Sequence, residues 1–160
     1  MASLLKAFLL STILLGTNPE PACHIEVDHE CEQADVIVEG LSDFNTPYFG
    51  NQKRTYFAVY LKDEKDEIVG GVVAWMRPGE LLYIETLWIS EPMRKKGYGK
   101  KLLLSAEAEG KKHGCTHSQL ETLTFQAEPF YQKLGYKRIG IVRKHYGEHD
   151  SIFMRKNLLE

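Results

Sequence analysis

The sequence predicts a mixed α/β domain, a sheet of about seven strands with helices on its faces. Three observations point there. Runs such as "TYFAVYL" (55–61) and "EIVGGVVAWM" (67–76) are rich in β-branched and aromatic residues, as strands are. Between such runs lie stretches with apolar residues at helical spacing. The chain has 160 residues, 43% hydrophobic and 26% charged, which suits one globular domain with a proper core.

The elements follow in order. Residues 1–22 stand apart as an apolar N-terminal segment, and 23–160 read as a single domain. The apolar run from Ala7 to Leu15 follows Lys6 and has the proportions of a signal-peptide core. It is too short to span a bilayer, which takes about 20 apolar residues. "TNPEPAC" offers no clean A-x-A cleavage site, and Glu20 sits badly for a lipoprotein site ending at Cys23. A helix packed on the body or on a second copy of the chain, an export signal and a misplaced start codon are the readings left open.

"HIEVD" reads as a first strand with Cys23, Ile25 and Val27 facing inward. "CEQADVIVEGLSDFN" has Ala34, Val38 and Leu41 at helical spacing and should run into a polar loop through Pro47 and Gly50. The strands at 55–61 and 67–76 form a hairpin across the charged turn "KDEKD". "RPGE" turns the chain into "LLYIETLWIS" (81–90), a long apolar strand whose alternation puts Tyr83, Glu85, Leu87 and Ile89 on one face. A glycine loop follows, then "KKLLLSAEAEGKKHG", a helix with Leu102, Leu103 and Ala106 inward, a Glu107–Lys111 pair at its edge and a stop at Gly114. "SQLETL" is a fifth strand, "QAEPFYQKLG" a short helix, and "YKRIGIVRK" and "SIFMRKNL" close the sheet.

Composition excludes some functions. A formal net charge of −2 argues against a general nucleic-acid binder, so any basic run is local. Three cysteines do not describe a disulfide framework. "CHIEVDHEC" mixes histidines with cysteines, but at none of the usual zinc spacings, and no metal is expected.

"RKKGYGKK" (94–101) is the informative stretch. A solvated helix face has no use for Gly97 and Gly99, since each glycine costs a helix roughly 1 kcal/mol against alanine. A phosphate cradle does need them, because a chain without Cβ lets backbone N–H groups close on an anion. Strand, then R-x-x-G-x-G, then helix aims the free amides and partial positive charge of a helix start at a phosphate. Arg94, Lys95, Lys96, Lys100 and Lys101 add charge around it. The Walker spacing is absent, and a Rossmann fingerprint would need glycine where Leu102 stands.

"LWISEPMRKKGYGKKLL", followed thirty-one residues after Gly99 by "FYQKLGYKRIG", resembles the GNAT superfamily of acyl-CoA-dependent N-acetyltransferases. The first stretch is similar to its motif A and the second to its motif B. The likeness covers roughly residues 55–158 and reaches faintly back to residue 24. "LETLTFQAEPFYQKLGY" further resembles a bacterial branch with a T-F-x-F-Q-A-x-x-F-Y signature, with Leu123 replacing its first phenylalanine. The resemblance implies a mostly antiparallel mixed sheet whose fourth and fifth strands splay apart, with acetyl-CoA as donor and no metal.

By that resemblance the loop from Arg94 through Lys95, Lys96, Gly97, Tyr98 and Gly99 to Lys100 holds the pyrophosphate of coenzyme A. The backbone of Leu87 and Ile89 would pair with the pantetheine arm. Tyr131 would serve the departing sulfur, although a core aromatic is the alternative. Glu85, beside the cofactor loop, is the candidate base for the acceptor amine; it could instead orient the substrate or be structural. Many members carry asparagine where Thr124 stands, so a pantetheine contact there has fewer donors.

The leading expectation is an enzyme that acetylates a primary amine of a small molecule or peptide in the cytoplasm, where coenzyme A is used. An acyl-CoA sensor without turnover is the second reading and an exported protein the third. No nucleic acid and no firm membrane partner are expected, and a homodimer stays open. The acceptor would meet "SDFNTPYFGNQ" and "KHYGEHDS", where Asp43, Glu148 and Asp150 could attract a cationic amine.

Overall fold

The computed structural model describes residues 23–50, 53–77 and 79–159, so the readings of residues 1–22 lie outside the described residues. The chain divides into two units after Gly40. In the first, residues 23–28 form no strand. The Asp28 carboxylate accepts hydrogen bonds from the N–H groups of Glu30 (2.9 Å) and Glu32 (3.1 Å), a side-chain turn that leads into helix rather than sheet. The expected first strand is therefore absent, and among the described residues the sheet has six strands where about seven were expected. The helix that follows, α1 (Ala34–Phe49), crosses the division and continues through Pro47, where a polar loop was expected. Thr46 bonds back to the carbonyl of Ser42 at 2.9 Å and the N–H of Gly50 to that of Thr46 at 2.8 Å, so the backbone around the proline stays bonded. No helix among the described residues is long and apolar enough to cross a membrane.

The second unit carries the whole sheet. Its elements are β1 (Thr55–Lys62), β2 (Ile68–Arg77), β3 (Leu81–Ile89), α2 (Tyr98–Lys112), β4 (His117–Leu123), α3 (Glu128–Lys133), β5 (Lys137–Tyr146) and β6 (His149–Asn157). The strand order is β1-β2-β3-β4-β6-β5, and every neighbouring pair is antiparallel except β3 with β4. This is the mixed, mostly antiparallel sheet expected. The β1–β2 turn forms as the charges suggest: Asp63 accepts the N–H groups of Lys65 and Glu67, and Lys62 pairs with Asp66 at 2.8 Å.

The core lies on the face that α2 covers. Val72, Ala74 and Met76 of β2 alternate with more exposed neighbours, as a strand half buried by one helix layer should. Leu82 and Ile84 of β3, Leu120 of β4, and Ile152 and Met154 of β6 meet Leu102, Leu103 and Ala106 of α2 in one buried cluster. Leu103 has no exposed surface. Leu103→Ala is expected to lower unfolding stability by about 2–5 kcal/mol, read as a lower urea midpoint at unchanged slope.

One edge assignment on α2 changes. Glu107 does not pair with Lys111 in solvent. It is buried, and its carboxylate takes the ammonium of Lys156 at 2.6 Å. Helical spacing places Glu107 one residue after Ala106 on the inward stripe, and a polar partner from β6 makes that burial tolerable.

Candidate active site

The site is built where two strands part. β3 and β4 pair only from Leu81 with His117 to Ile84 with Leu120. Beyond that point β3 follows β2, ending with Ile89 opposite Gly70, while β4 follows β6, ending with Leu123 opposite Ser151. Each strand is drawn away by its other neighbour. Among the described residues the β3 edge from Glu85 onward thus faces an opening instead of a strand, and the backbone groups on that edge other than the Ile89 carbonyl, which takes Arg94, are available to a guest.

A β-bulge sits at the same place. Ala74 pairs with Ile84 but Val73 with Thr86, leaving Glu85 as the extra residue. The bulge shifts the alternation by one. Leu82 and Ile84 face the core, and after the bulge Leu87 and Ile89 pack toward that same side. Tyr83 lies on the opposite face, stacked on Trp75 with ring centroids 5.0 Å apart. The expectation of Tyr83, Leu87 and Ile89 on one face is corrected: strict alternation fails because one residue is inserted between them.

After β3 the chain makes a short 3-10 turn, Glu91–Met93, and Arg94 folds back so that its Nε donates to the carbonyl of Ile89 at 3.0 Å. Gly97 caps α2 with φ 84°, a left-handed conformation that a side chain would strain. The first bond closing that helix runs from the N–H of Lys101 to the carbonyl of Gly97 at 3.3 Å. The N–H groups of Tyr98, Gly99 and Lys100 therefore lie in the unpaired first turn, at the positive end of a helix of 15 residues.

Gly99 serves a close approach. A Cβ there would stand 3.3 Å from Cζ of Phe130 and 3.4 Å from Cδ1 of Ile89. The absence of a side chain thus lets the helix start sit against the end of β3 and against α3.

A cavity of about 790 Å³ opens at this junction. From the strand, Leu87 and Ile89 line it; from the loop, Arg94, Lys95 and Gly97; from the helix start, Tyr98, Gly99 and Lys100. These are eight of the residues expected to hold the donor. Lys96 does not line the cavity, and its side chain is solvent-exposed. Thr124 is also exposed and outside the lining, its N–H donating to the carbonyl of Asp150 at 3.1 Å.

The opposite wall comes from residues that the sequence reading did not assign: Phe125, Gln126, Ala127 and Phe130. The "FQAEPF" run belongs to the stretch that resembles the bacterial-branch signature, yet no role for it follows from residue type alone. Here Gln126 takes the N–H of Leu123 on its side-chain oxygen at 2.9 Å, and Thr122 closes on Gln126 and the N–H of Ala127. These bonds shape the turn that presents Phe125 and Phe130.

Tyr131 stands one layer behind that wall. Its ring packs edge-to-face with Phe130 at 5.1 Å, and it belongs to the buried core. Burial pushes its phenol up to about 12, so the hydroxyl is neutral and a proton donor at ordinary pH. Among the described residues none hydrogen-bonds that hydroxyl.

Glu85 is exposed and lies outside the cavity lining. Burial first, and then the carboxylates of Glu121 and Glu85, push the Tyr83 phenol up. Glu85 is thus within electrostatic reach of Tyr83, on the sheet face away from the core. Of the carboxylates expected to attract an amine, Asp150 is held by Arg143 and by the N–H of Lys144, and Glu148 pairs with Lys144 at 3.3 Å. Asp43 lies in α1.

Comparisons with known proteins agree with this geometry. The profile of the Acetyltransferase (GNAT) family matches residues 20–136. Blasticidin-S acetyltransferase of Streptomyces morookaense is 36% identical over 93 residues, spanning 58% of this chain and 68% of that protein. Acetyltransferase Atu2258 of Agrobacterium fabrum is 31% identical over 113 residues, spanning 71% of this chain and 80% of that protein. The crystal structure of an acetyltransferase from Bacillus cereus superimposes with a TM-score of 0.76 at 32% identity, covering 84% of this chain and 97% of the other.

Proposed function

The chain belongs to the Acetyltransferase (GNAT) family and is an acetyl-CoA-dependent acetyltransferase, and from that premise we propose that it transfers the acetyl group to a primary amine, with Glu85 as base and Tyr131 as acid. The observation that carries this reading is the single cavity shared by the open edge of β3 and the free amides of the α2 N-terminus. A pyrophosphate suits those amides together with Arg94, Lys95 and Lys100. A pantetheine arm, which carries amide groups, suits the β3 edge at Leu87 and Ile89, beyond the point where β4 pairs with it, although the Ile89 carbonyl already takes Arg94. Lys96 and Thr124 would reach the donor only from the rim.

The chemistry follows from the two faces of the sheet. The amine nitrogen attacks the thioester carbonyl carbon, and an N–H of the parted β3 edge holds the oxyanion. The C–S bond then breaks, and the departing thiolate takes the proton of the Tyr131 hydroxyl. The amine must shed its own proton, and Glu85, at the bulge and beside Tyr83, receives it directly or through water. Donor and acceptor thereby approach from opposite sides of the gap, which keeps their binding regions separate.

The acceptor is a small-molecule or peptide amine. A relative whose name gives blasticidin-S as its substrate puts small amines first in the panel to be tried. A cytoplasmic location fits a donor made and consumed there.

Release of free thiol from acetyl-CoA, followed against a panel of primary amines, tests the reading. Amine-dependent thiol release is expected. Binding of acetyl-CoA without thiol release for any amine in a broad panel counts against it. Glu85→Gln is expected to lower kcat/KM for the amine about 10- to 100-fold near neutral pH, with acetyl-CoA affinity unchanged. Unaltered kcat/KM would remove Glu85 from the mechanism.

A further inference from the structure

Behind Tyr131 lies a buried polar group of four residues that the reaction itself does not use. Glu107 of α2, Ser118 of β4 and Tyr136 between α3 and β5 are 3%, 0% and 2% exposed. One carboxylate oxygen of Glu107 accepts the Tyr136 hydroxyl at 3.0 Å, and the other accepts the Lys156 ammonium from β6 at 2.6 Å. The Tyr136 hydroxyl also meets that of Ser118 at 2.6 Å. Three elements and the link between α3 and β5 are thereby tied at one point.

We propose that Glu107, Lys156 and Ser118 fix the Tyr136 ring so that it positions Tyr131 for proton donation; the proposal rests on the acid role of Tyr131. Two contacts join the group to Tyr131. The N–H of Tyr136 donates to the Tyr131 carbonyl at 3.1 Å, and the two rings meet edge-to-face at 5.9 Å and 68°. With no hydrogen bond to its own hydroxyl among the described residues, the Tyr131 side chain is oriented by its ring neighbours, Phe130 and Tyr136.

Phe130 lines the cavity and has no polar group to fix it, whereas Tyr136 is held at its hydroxyl by two partners. The tie also runs to the reacting region by a second route, since α2 begins at the cavity and carries Glu107 about two and a half turns later. A buried ion pair of this kind is often no better for stability than an apolar replacement, so what it contributes is a defined geometry. Burial, then the neighbouring Glu107, push the Tyr136 phenol up, which keeps it a donor to the carboxylate.

Tyr136→Phe removes only the hydroxyl and keeps the ring, and Glu107→Gln keeps shape while removing charge. Both are measured alone and combined with Tyr131→Phe. Each is expected to lower kcat about 5- to 50-fold with KM for acetyl-CoA within about twofold, and to cost nothing further in the Tyr131→Phe background. Independent losses that multiply in that background, or an unchanged kcat in Tyr136→Phe, overturn the positioning role. Because Glu107→Gln can fail to fold, Tyr136→Phe decides the matter. Full activity in Tyr131→Phe itself would defeat the acid reading and this proposal together. A slow Tyr131→Phe beside a fully active Tyr136→Phe would defeat the positioning role alone.

Discussion

Gly99→Val is expected to weaken acetyl-CoA binding about 10- to 100-fold. Even the first added carbon would lie 3.3 Å from Phe130 and 3.4 Å from Ile89, both of which line the cavity. The two further methyls of valine must push these walls apart or tilt the start of α2. Overpacking typically costs about 1–3 kcal/mol, and here it falls on the amides that would face the pyrophosphate, so the loss appears in binding. Acetyl-CoA stabilises only the folded protein it binds, so a thermal-shift titration reads the effect directly. The wild type should show a saturable rise in Tm, and Gly99→Val the same rise only at about 10- to 100-fold higher acetyl-CoA. Gly99→Ala should fall between them, because contacts of 3.3 and 3.4 Å can be relieved by small shifts of the two side chains. An undiminished shift in Gly99→Val would show that the α2 start does not hold the donor.

Tyr131→Phe is expected to lower kcat about 10- to 1000-fold while leaving acetyl-CoA affinity nearly intact, since general acid help is worth roughly 10²–10⁴. The replacement keeps the ring that packs on Phe130 and Tyr136 and removes only the proton donor. The pH profile adds an independent check. The donating form of a phenol is lost as pH rises through its pKa, which burial has moved from the ordinary 10.0 to about 12. Activity should therefore show no alkaline loss traceable to Tyr131 up to about pH 11, and Tyr131→Phe should share the wild-type profile shape at lower amplitude. Full activity in the variant would return Tyr131 to a packing role.

Much of the fold was legible because its elements carry strong local patterns. β2, β3 and α2 are long apolar segments bounded by charged turns or glycines, and their limits fall within about two residues of those read from the pattern. The glycine loop was legible for a different reason: two glycines among five basic residues have few other uses. What could not be read depends on partners distant in the chain. "HIEVD" alternates as a strand does, yet alternation says nothing about whether a neighbouring strand will pair with it. Pro47 signals a helix end, but the bonds from Thr46 and Gly50 carry α1 past it. Glu107 looks like half of a surface pair with Lys111, and only the fold brings Lys156 from 49 positions away. The apolar wall of the cavity was hidden similarly, since Phe125 and Phe130 have the composition of ordinary core until the turn made by Gln126 exposes them to the cleft.

The extra residue in β3 also bears on how this chain can be recombined with its relatives. Glu85 acts as a phase marker: upstream of it even-numbered residues face the core, and downstream odd-numbered ones do. A chimera joined between Ile84 and Thr86 to a parent whose strand lacks the insertion would inherit the wrong parity. Leu87 and Ile89 would swing away from the core side that they share with Leu82 and Ile84. Crossovers at the turn of Gly79 and Glu80, or in the loop after Ile89, keep the strand and its phase as one inherited block. The unit of exchange in this region is therefore the whole strand with its bulge, and alignments used to plan such exchanges need a one-residue gap at Glu85 wherever the other parent has none.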